Sequence, residues 1–418
     1  MSKPKQIIRS SKHGLKFCNK GKINEINQLI SDYRILVQNI IDYLWQNHHK
    51  KLNIRKNKLN CPSLADSDLL DKFEWNYSER LKQAAGKQAL AMIGTATEKR
   101  RKQLFTLKEL KKKNENTKYL QRKINLFPLV KPSASKINLE LDQRFVDFNF
   151  DQKTFTCFVR LKSIKRGLII NIPLQRTKVF DKWKSEKLKQ CIRLSENHIY
   201  LMFDVKEPPQ KKEGDIVGCD QGAKDILTFS DKQKVKKYQG RYELSDVMNI
   251  LSRKKKGSKA FKRAQEFRKN LVNWTINNIN FDHIKELRLE KLHQVGKGKR
   301  KSRFLSHWTY TLINDKLMRV SEEKGFLITE VPNEFRSQRC SKCGWVRKDN
   351  RKGKTFHCTK CEIKFDADEN AASNLLFDLF EIPFWVRLNQ INRSGFYWME
   401  NGLFDESQES IVPDTEKE

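Results

Sequence analysis

Cys340-x-x-Cys343 and Cys358-x-x-Cys361 stand fourteen residues apart and constrain this chain more than any other feature. Two such knuckles, each presenting two thiolates, close a tetrahedral shell around Zn²⁺ at about 2.3 Å per sulfur. Gly344 directly after the second cysteine permits the tight turn a knuckle needs. A disulfide pair or a redox motif uses the same residues, but paired CxxC at this spacing reads first as a zinc ribbon. Four protein ligands leave no open position, so the expected role is structural. His357, beside Cys358, is not needed as a ligand when four cysteines are present. The other five cysteines (Cys18, Cys61, Cys157, Cys191, Cys219) are scattered and read as small buried residues.

Charge bounds the partners. Lys and Arg number 85 against 50 Asp and Glu, a net charge of +35. Such an excess calls for a polyanion, because every phosphate neutralised releases a counterion. Nucleic acid is the first candidate. An anionic membrane surface is the rival, but no run of about 18 apolar residues exists to span a bilayer. Met1-Ser2-Lys3-Pro4-Lys5 leads into no apolar segment, so no signal peptide is expected and a cytoplasmic location follows.

With 418 residues, two or three domains are expected at roughly 150 residues each. Residues 5–20 hold one strand. Ile26, Ile30, Tyr33, Val37, Ile40 and Leu44 then share one helical face. Further helices are expected from Ser67 to Met92 and from Lys99 to Lys123, the latter dense in basic residues. Beyond Ile137 the period turns to two. Short strands at 137–141, 155–161, 168–172 and 199–203 predict a small antiparallel barrel or sandwich. A polar linker, Pro208–Gly214, precedes an α/β block. That block holds strands at 216–219, 225–230, 286–290 and 326–331. It also holds a long basic helix from Leu251 to Asn277, a Gly/Lys/Arg-rich loop at Val295–Arg303 and a helix from Trp308 to Lys324. From Glu400 onward seven acids face one lysine, which predicts a disordered tail.

Three acids stand out. Asp220 ends a strand between Gly218 and Gly222, Glu290 ends Leu287-Arg-Leu-Glu290, and Asp368 lies where a polar stretch enters a helix. Phosphodiester hydrolysis puts negative charge on the attacking and leaving oxygens, and two Mg²⁺ ions roughly 4 Å apart clamp both. Mg²⁺ takes oxygen ligands, so carboxylates from separate elements suit it. Singly, each acid has a plain reading: a helix N-cap for Asp366 or Asp368, a surface acid for Glu290.

The run of motifs resembles the TnpB family of transposon-encoded nucleases and the related miniature type V CRISPR effectors. It comprises Gly-Cys-Asp-Gln-Gly (218–222), Leu-Glu-Lys-Leu (289–292), Ser-Gln-Arg-Cys-Ser-Lys-Cys-Gly (337–344) and Asp-x-Asn-Ala-Ala-x-Asn-Leu (368–375). The basic segment 252–258 and Trp308 resemble family features too, whereas Arg336 stands where the family usually has Thr. The N-terminal half carries no specific motif.

The resemblance implies a multi-domain α+β protein. Its RNase H-like (RuvC) nuclease would occupy residues 213–335 and 366–398, with a zinc ribbon inserted at 336–365. A wedge β-barrel would be formed by 1–21 and 131–212, interrupted by a helical recognition domain at 22–130, and an acidic tail would follow from 399 to 418. It implies Asp220, Glu290 and Asp368 as the catalytic Mg²⁺ ligands, with Asp366 a close alternative to Asp368, and Cys340, Cys343, Cys358 and Cys361 as zinc ligands. A structured guide RNA would pair with double-stranded target DNA, and the protein would read a short flanking motif. Phe105, Tyr119, Phe261 and Phe267, set among basic residues, are candidates for base stacking, with core packing the plainer reading. A guided binder without cleavage, or an unguided resolvase or transposase, is the alternative. Oligomeric state, guide sequence and flanking motif are left open.

Overall fold

A computed structural model describes the chain except residues 1–5, 49–68, 113–115, 127–129, 151–153, 223–224, 234, 292–303, 305–306, 308, 384, 387–388 and 412–418. The loop at Val295–Arg303, Trp308, Cys61 and the end of the acidic tail therefore lie outside the described residues. The chain divides into two compact units, residues 1–206 and 207–418.

In the first unit β1 (Gln6–Gly14) is followed by helices α1 (Lys20–His48), α2 (Glu79–Lys112) and α3 (Lys118–Leu126). Strands β2 (Leu139–Leu141), β3 (Val146–Asn149), β4 (Cys157–Leu161) and β5 (Ile170–Leu174) come next. Helix α4 (Lys178–Trp183) and strands β6 (Lys187–Ser195) and β7 (His198–Lys206) complete it. Two antiparallel sheets form, ordered β1-β7-β6-β2 and β3-β4-β5. Pairing of β1 along the whole of β7 makes α1, α2 and α3 an insertion between the first and second strands of one β unit. The apolar stripe of α1 is buried as its spacing requires: Ile26, Ile30, Tyr33, Val37, Ile40 and Leu44 are each at most 2% exposed. Each such side chain contributes about 1.5–3 kcal/mol on burial.

Two helices expected at 67–92 and 99–123 are one helix, α2, followed by the short α3. Residues 93–98 hold no Pro, and Gly94 is tolerated inside an otherwise favourable run. Strands β3 and β6 lacked a sequence signal. The first is only four residues long, and the second alternates weakly because Lys and Gln occupy three of its first four positions.

The second unit opens with β8 (Asp215–Asp220) and β9 (Thr228–Phe229), then α5 (Leu244–Arg253) and α6 (Lys259–Asn277). It continues through β10 (Ile284–Glu290), α7 (Tyr310–Lys324) and β11 (Leu327–Val331). The cysteine-rich insert carries β12 (Trp345–Val346), β13 (Arg351–Lys352), β14 (Thr355–His357) and β15 (Lys364–Asp366). Helix α8 (Ala367–Asn374) and the hairpin β16 (Phe396–Met399) and β17 (Gly402–Phe404) end it. The central sheet is ordered β11-β10-β8-β9, with β8, β10 and β11 parallel and β9 antiparallel.

The single basic helix expected over 251–277 is broken. Gly257 takes φ +83° and Ser258 caps α6 by accepting the Phe261 N–H at 3.1 Å. Residues 400–411 are folded where a disordered tail was expected. Gly402, at φ +157°, closes a tight hairpin, and Leu403 is buried with Phe396, Trp398 and Val346. Counting acids missed this apolar cluster. The sheet β12-β16-β17 therefore ties residues 396–404 to the cysteine-rich insert.

Candidate active site and metal centre

Parallel pairing of β8 with β10 sets the first two acids side by side. Leu289 lies opposite Cys219, so Asp220 and Glu290 occupy the next position along their strands. Burial in β8 is dense, and Gly218 is the reason a helix can approach. A Cβ built on it would sit 2.0 Å from the Ala372 carbonyl oxygen of α8. That contact brings Asp368, in the first turn of α8, to the strand that carries Asp220. Asp366 does other work. It is exposed and caps α8, accepting the backbone N–H groups of Asp368 at 2.9 Å and Glu369 at 3.1 Å.

The electrostatics follow from this packing. Burial, and then repulsion from Asp368, push the Asp220 carboxyl up to about 6. Burial, and then repulsion from Asp220, push Glu290 up to about 8. Asp220 thus stands between the other two acids electrostatically. Arg351 and Lys354, from the insert, oppose the rise at Asp220, and Arg336 and Arg351 oppose it at Glu290.

Sequence reasoning missed that basic group. Arg351 Nη2 lies 2.8 Å from Asp368 Oδ1, and Lys354 Nζ ion-pairs with the other oxygen of the same carboxylate. Lys354 also pairs with Asp225 at 2.6 Å. The signal was the cationic run Arg351-Lys-Gly-Lys354 midway between the two cysteine pairs. Arg336 was noted only as a departure from pattern. It is buried, donating to the carbonyls of Pro332, Asn374 and Phe377, with its guanidinium over the Trp398 ring.

The four cysteines converge. All their sulfurs lie within 4.8 Å of one another, with Cys340–Cys361 at 3.7 Å and Cys343–Cys358 at 3.5 Å. A tetrahedron with 2.3 Å bonds has edges of about 3.8 Å, so the arrangement fits Zn²⁺. These separations are far beyond a disulfide bond of about 2.05 Å. The Cys343 hydrogen bond pulls the Cys340 thiol down to about 5. Both knuckles close the same way. Gly344 N–H bonds the Cys340 carbonyl at 2.9 Å and Glu362 N–H bonds the Cys358 carbonyl at 3.0 Å, both residues being left-handed. Among the described residues no other group of three or more His, Cys, Asp or Glu brings ligand atoms this close.

Two asparagines bolt the first knuckle to α8. Asn370 accepts the Ser341 N–H at 3.0 Å and donates to the Arg339 carbonyl at 2.8 Å. Asn374 donates to the carbonyls of Arg336, Arg339 and Asn370, and accepts from Arg339 Nη1 at 2.6 Å. The Asn-Ala-Ala-x-Asn stretch is therefore a strut between the four-cysteine cluster and Asp368.

A family model described as the Cas12f1-like TNB domain matches residues 310–375, which span α7 through α8 and contain the four cysteines and Asp368. Over part of its length the chain is similar to TnpB-like proteins and to Cas12f1 endodeoxyribonucleases. It is 40% identical over 75 residues to a CRISPR-associated endodeoxyribonuclease Cas12f1 of Sulfoacidibacillus thermotolerans, over 18% of each chain. A TnpB-like protein of Aquifex aeolicus (strain VF5) is 30% identical over 102 residues, covering 24% of this chain and 32% of that one. A TnpB-like protein of Acanthamoeba polyphaga mimivirus is 26% identical over 242 residues, 47% of this chain and 46% of its own. The matches thus span less than half of each relative's length. A solved Cas12f1 chain, from a complex with sgRNA and target DNA, overlaps 88% of this chain and 98% of its own at 16% identity and TM-score 0.42.

Of the stacking candidates, Phe261 is buried and Phe267 packs on Tyr238 and Tyr242, so both belong to the core. Phe105 and Tyr119 are 63% and 76% exposed on α2 and α3. No helix among the described residues is long and apolar enough to cross a membrane.

Proposed function

We propose that this protein is an RNA-guided DNA endonuclease whose phosphodiester hydrolysis is carried by Asp220, Glu290 and Asp368. One observation carries the reading. Acids from β8, β10 and α8 neighbour one another, Asp368 buried and the other two half-buried, and burial with mutual repulsion holds Asp220 and Glu290 far above the ordinary carboxylate range. Folding such acids together is costly without cations to offset their repulsion. The donor set is all oxygen, which fits Mg²⁺. Arg351 and Lys354 on Asp368 are the same demand met by side chains. Mg²⁺, when bound, would polarise the scissile phosphate and activate the attacking water. Asp220, Glu290 and Asp368 would together hold the cations, with Asp220 neighbouring both other acids. Arg351 and Lys354 would then be released from Asp368 to engage a phosphate.

The remaining parts support a guided enzyme. The sheet order β11-β10-β8-β9, with one antiparallel edge, suits an RNase H-like (RuvC) core formed by 213–335 and 366–398. The β unit of 1–21 and 131–212, read as a wedge barrel, and the helical insertion of 22–130 supply basic surface for a guide RNA and a heteroduplex. The zinc ribbon of 336–365 fixes α8. A net charge of +35 suits a protein holding RNA, a hybrid and a displaced strand together. The named relatives, an endodeoxyribonuclease among them, agree with this reading.

The test is to express the gene with its native flanking DNA, purify the protein and sequence the RNA that accompanies it. A dominant RNA with a fixed scaffold and one defined variable end is expected. A random sample of cellular RNA would overturn guiding.

A further inference from the structure

Lys354 stands at the tip of a tight hairpin. Lys352 pairs with Thr355 across β13 and β14, and Gly353 between them takes φ +62°, as a two-residue turn requires. The Lys354 carbonyl accepts the Ala367 N–H at 2.9 Å, so its backbone is pinned to the residue before Asp368. Its side chain, 42% exposed, is shared between two carboxylates: one oxygen of Asp368, and Asp225 Oδ2 at 2.6 Å. The two acids differ. The Asp368 side chain is 7% exposed, and Arg351 holds its other oxygen at 2.8 Å. The Asp225 side chain is 50% exposed and has no further ion-pair partner among the described residues. A close turn brings it there, since a Cβ built on Gly222 would lie 2.5 Å from the Asp225 carbonyl oxygen. Arg351 has no second carboxylate within ion-pair reach among the described residues, so the sharing belongs to Lys354 alone.

We propose that Asp225 is a positioning residue for the carboxylate site, taking Lys354 over when a cation claims Asp368. The inference rests on the nuclease reading above and adds to it a residue and an exchange of partners. An ammonium on a flexible stem carries three donors, so it leaves one acid without leaving the other. Were Lys354 paired with Asp368 alone, an incoming cation would have to break that ion pair outright. Shared with Asp225, Lys354 keeps an anionic partner throughout, and emptying Asp368 costs less. The same tether holds the ammonium beside the acids, where its remaining N–H groups are free to meet a phosphate. Asp225 acts through Lys354 and touches no reacting atom.

The test measures Mn²⁺ binding to the full chain, without nucleic acid, by the loss of the free-ion EPR signal. Parent, Asp225→Asn, Lys354→Gln and the double variant are compared. Asp225→Asn should weaken Mn²⁺ about threefold and Lys354→Gln should tighten it by a similar factor, the size expected of partly exposed ion pairs. In the Lys354→Gln background Asp225→Asn should change nothing, because no lysine is left to hand over. Zinc content and melting temperature should match the parent in all of them, both side chains being well exposed. A loss of affinity that persists in the Lys354→Gln background would mean that Asp225 attracts the ion directly, and would overturn the proposal. So would an affinity that Asp225→Asn leaves unmoved. Mn²⁺ binding abolished by Asp220→Ala but indifferent to Asp225 sinks the exchange alone. Binding unchanged by Asp220→Ala sinks the carboxylate site itself.

Discussion

Gly218 of β8 meets the Ala372 carbonyl of α8 so closely that no side chain fits between them. The contact fixes how near Asp368 comes to Asp220. Replacing Gly218 by Ala would force the helix off the strand, at an overpacking cost of about 1–3 kcal/mol. Gly218→Ala is expected to lower the melting temperature and to reduce cleavage by more than the lost stability explains. A variant that melts and cuts like the parent would show that the acids tolerate a wider spacing.

Asn374 is fully buried and serves three carbonyls. Asn374→Leu strands those partners, and each unsatisfied buried group costs about 1–3 kcal/mol. Cleavage should fall while zinc stays near one equivalent, because no cysteine is touched. Metal analysis alongside a cleavage assay checks this. Loss of zinc with the asparagine would mean that the strut supports the metal centre and not Asp368.

The raised carboxyls predict a pH dependence. Asp220 and Glu290 have folded pKa values of about 6 and about 8, above the unfolded values near 4. Below pH about 4 both are protonated in either state and cost nothing. As pH climbs toward 8 the unfolded chain ionises freely and the folded one does not, so stability is lost. Without added Mg²⁺, Glu290→Gln should therefore raise the melting temperature more at pH 8 than at pH 5. Equal gains at both would contradict the assigned burial. Cleavage, needing the ionised acids, should rise over pH 6–8.

In the cysteine centre, Cys358→Ser should drop bound zinc well below one equivalent and unfold the insert, read by metal analysis and by proteolysis near residues 340–365. Glu362 holds the left-handed position that Gly344 fills in the other knuckle. Glu362→Gly should stabilise the protein or leave it unchanged, since a left-handed non-glycine residue costs about 1–3 kcal/mol. A lower melting temperature for Glu362→Gly would mean that its side chain matters more than its backbone.

Much of this was legible in the chain. Paired CxxC spacing announces four converging sulfurs because a metal shell dictates the residues locally. The α1 stripe and the strand-end acids follow from periodicity and position. Asp366 and Asp368 share a context in sequence, and only the capping bonds of Asp366 separate them. Arg351 and Lys354 were not legible, since a basic run in a basic protein does not reveal that it folds back fourteen residues or more onto one carboxylate. The folded segment 400–411 was hidden for a related reason. Its acids face solvent, and Leu403 finds its partners on residues far back in the chain.

The most direct test of the central claim is plasmid cleavage by the protein purified with its RNA, comparing parent and Asp220→Ala on a plasmid carrying the sequence complementary to the RNA's variable end. The parent should cut that plasmid in Mg²⁺. Asp220→Ala should retain the RNA and bind the plasmid without cutting it. Cleavage by Asp220→Ala at the parent's rate would contradict the assignment of the three-carboxylate site.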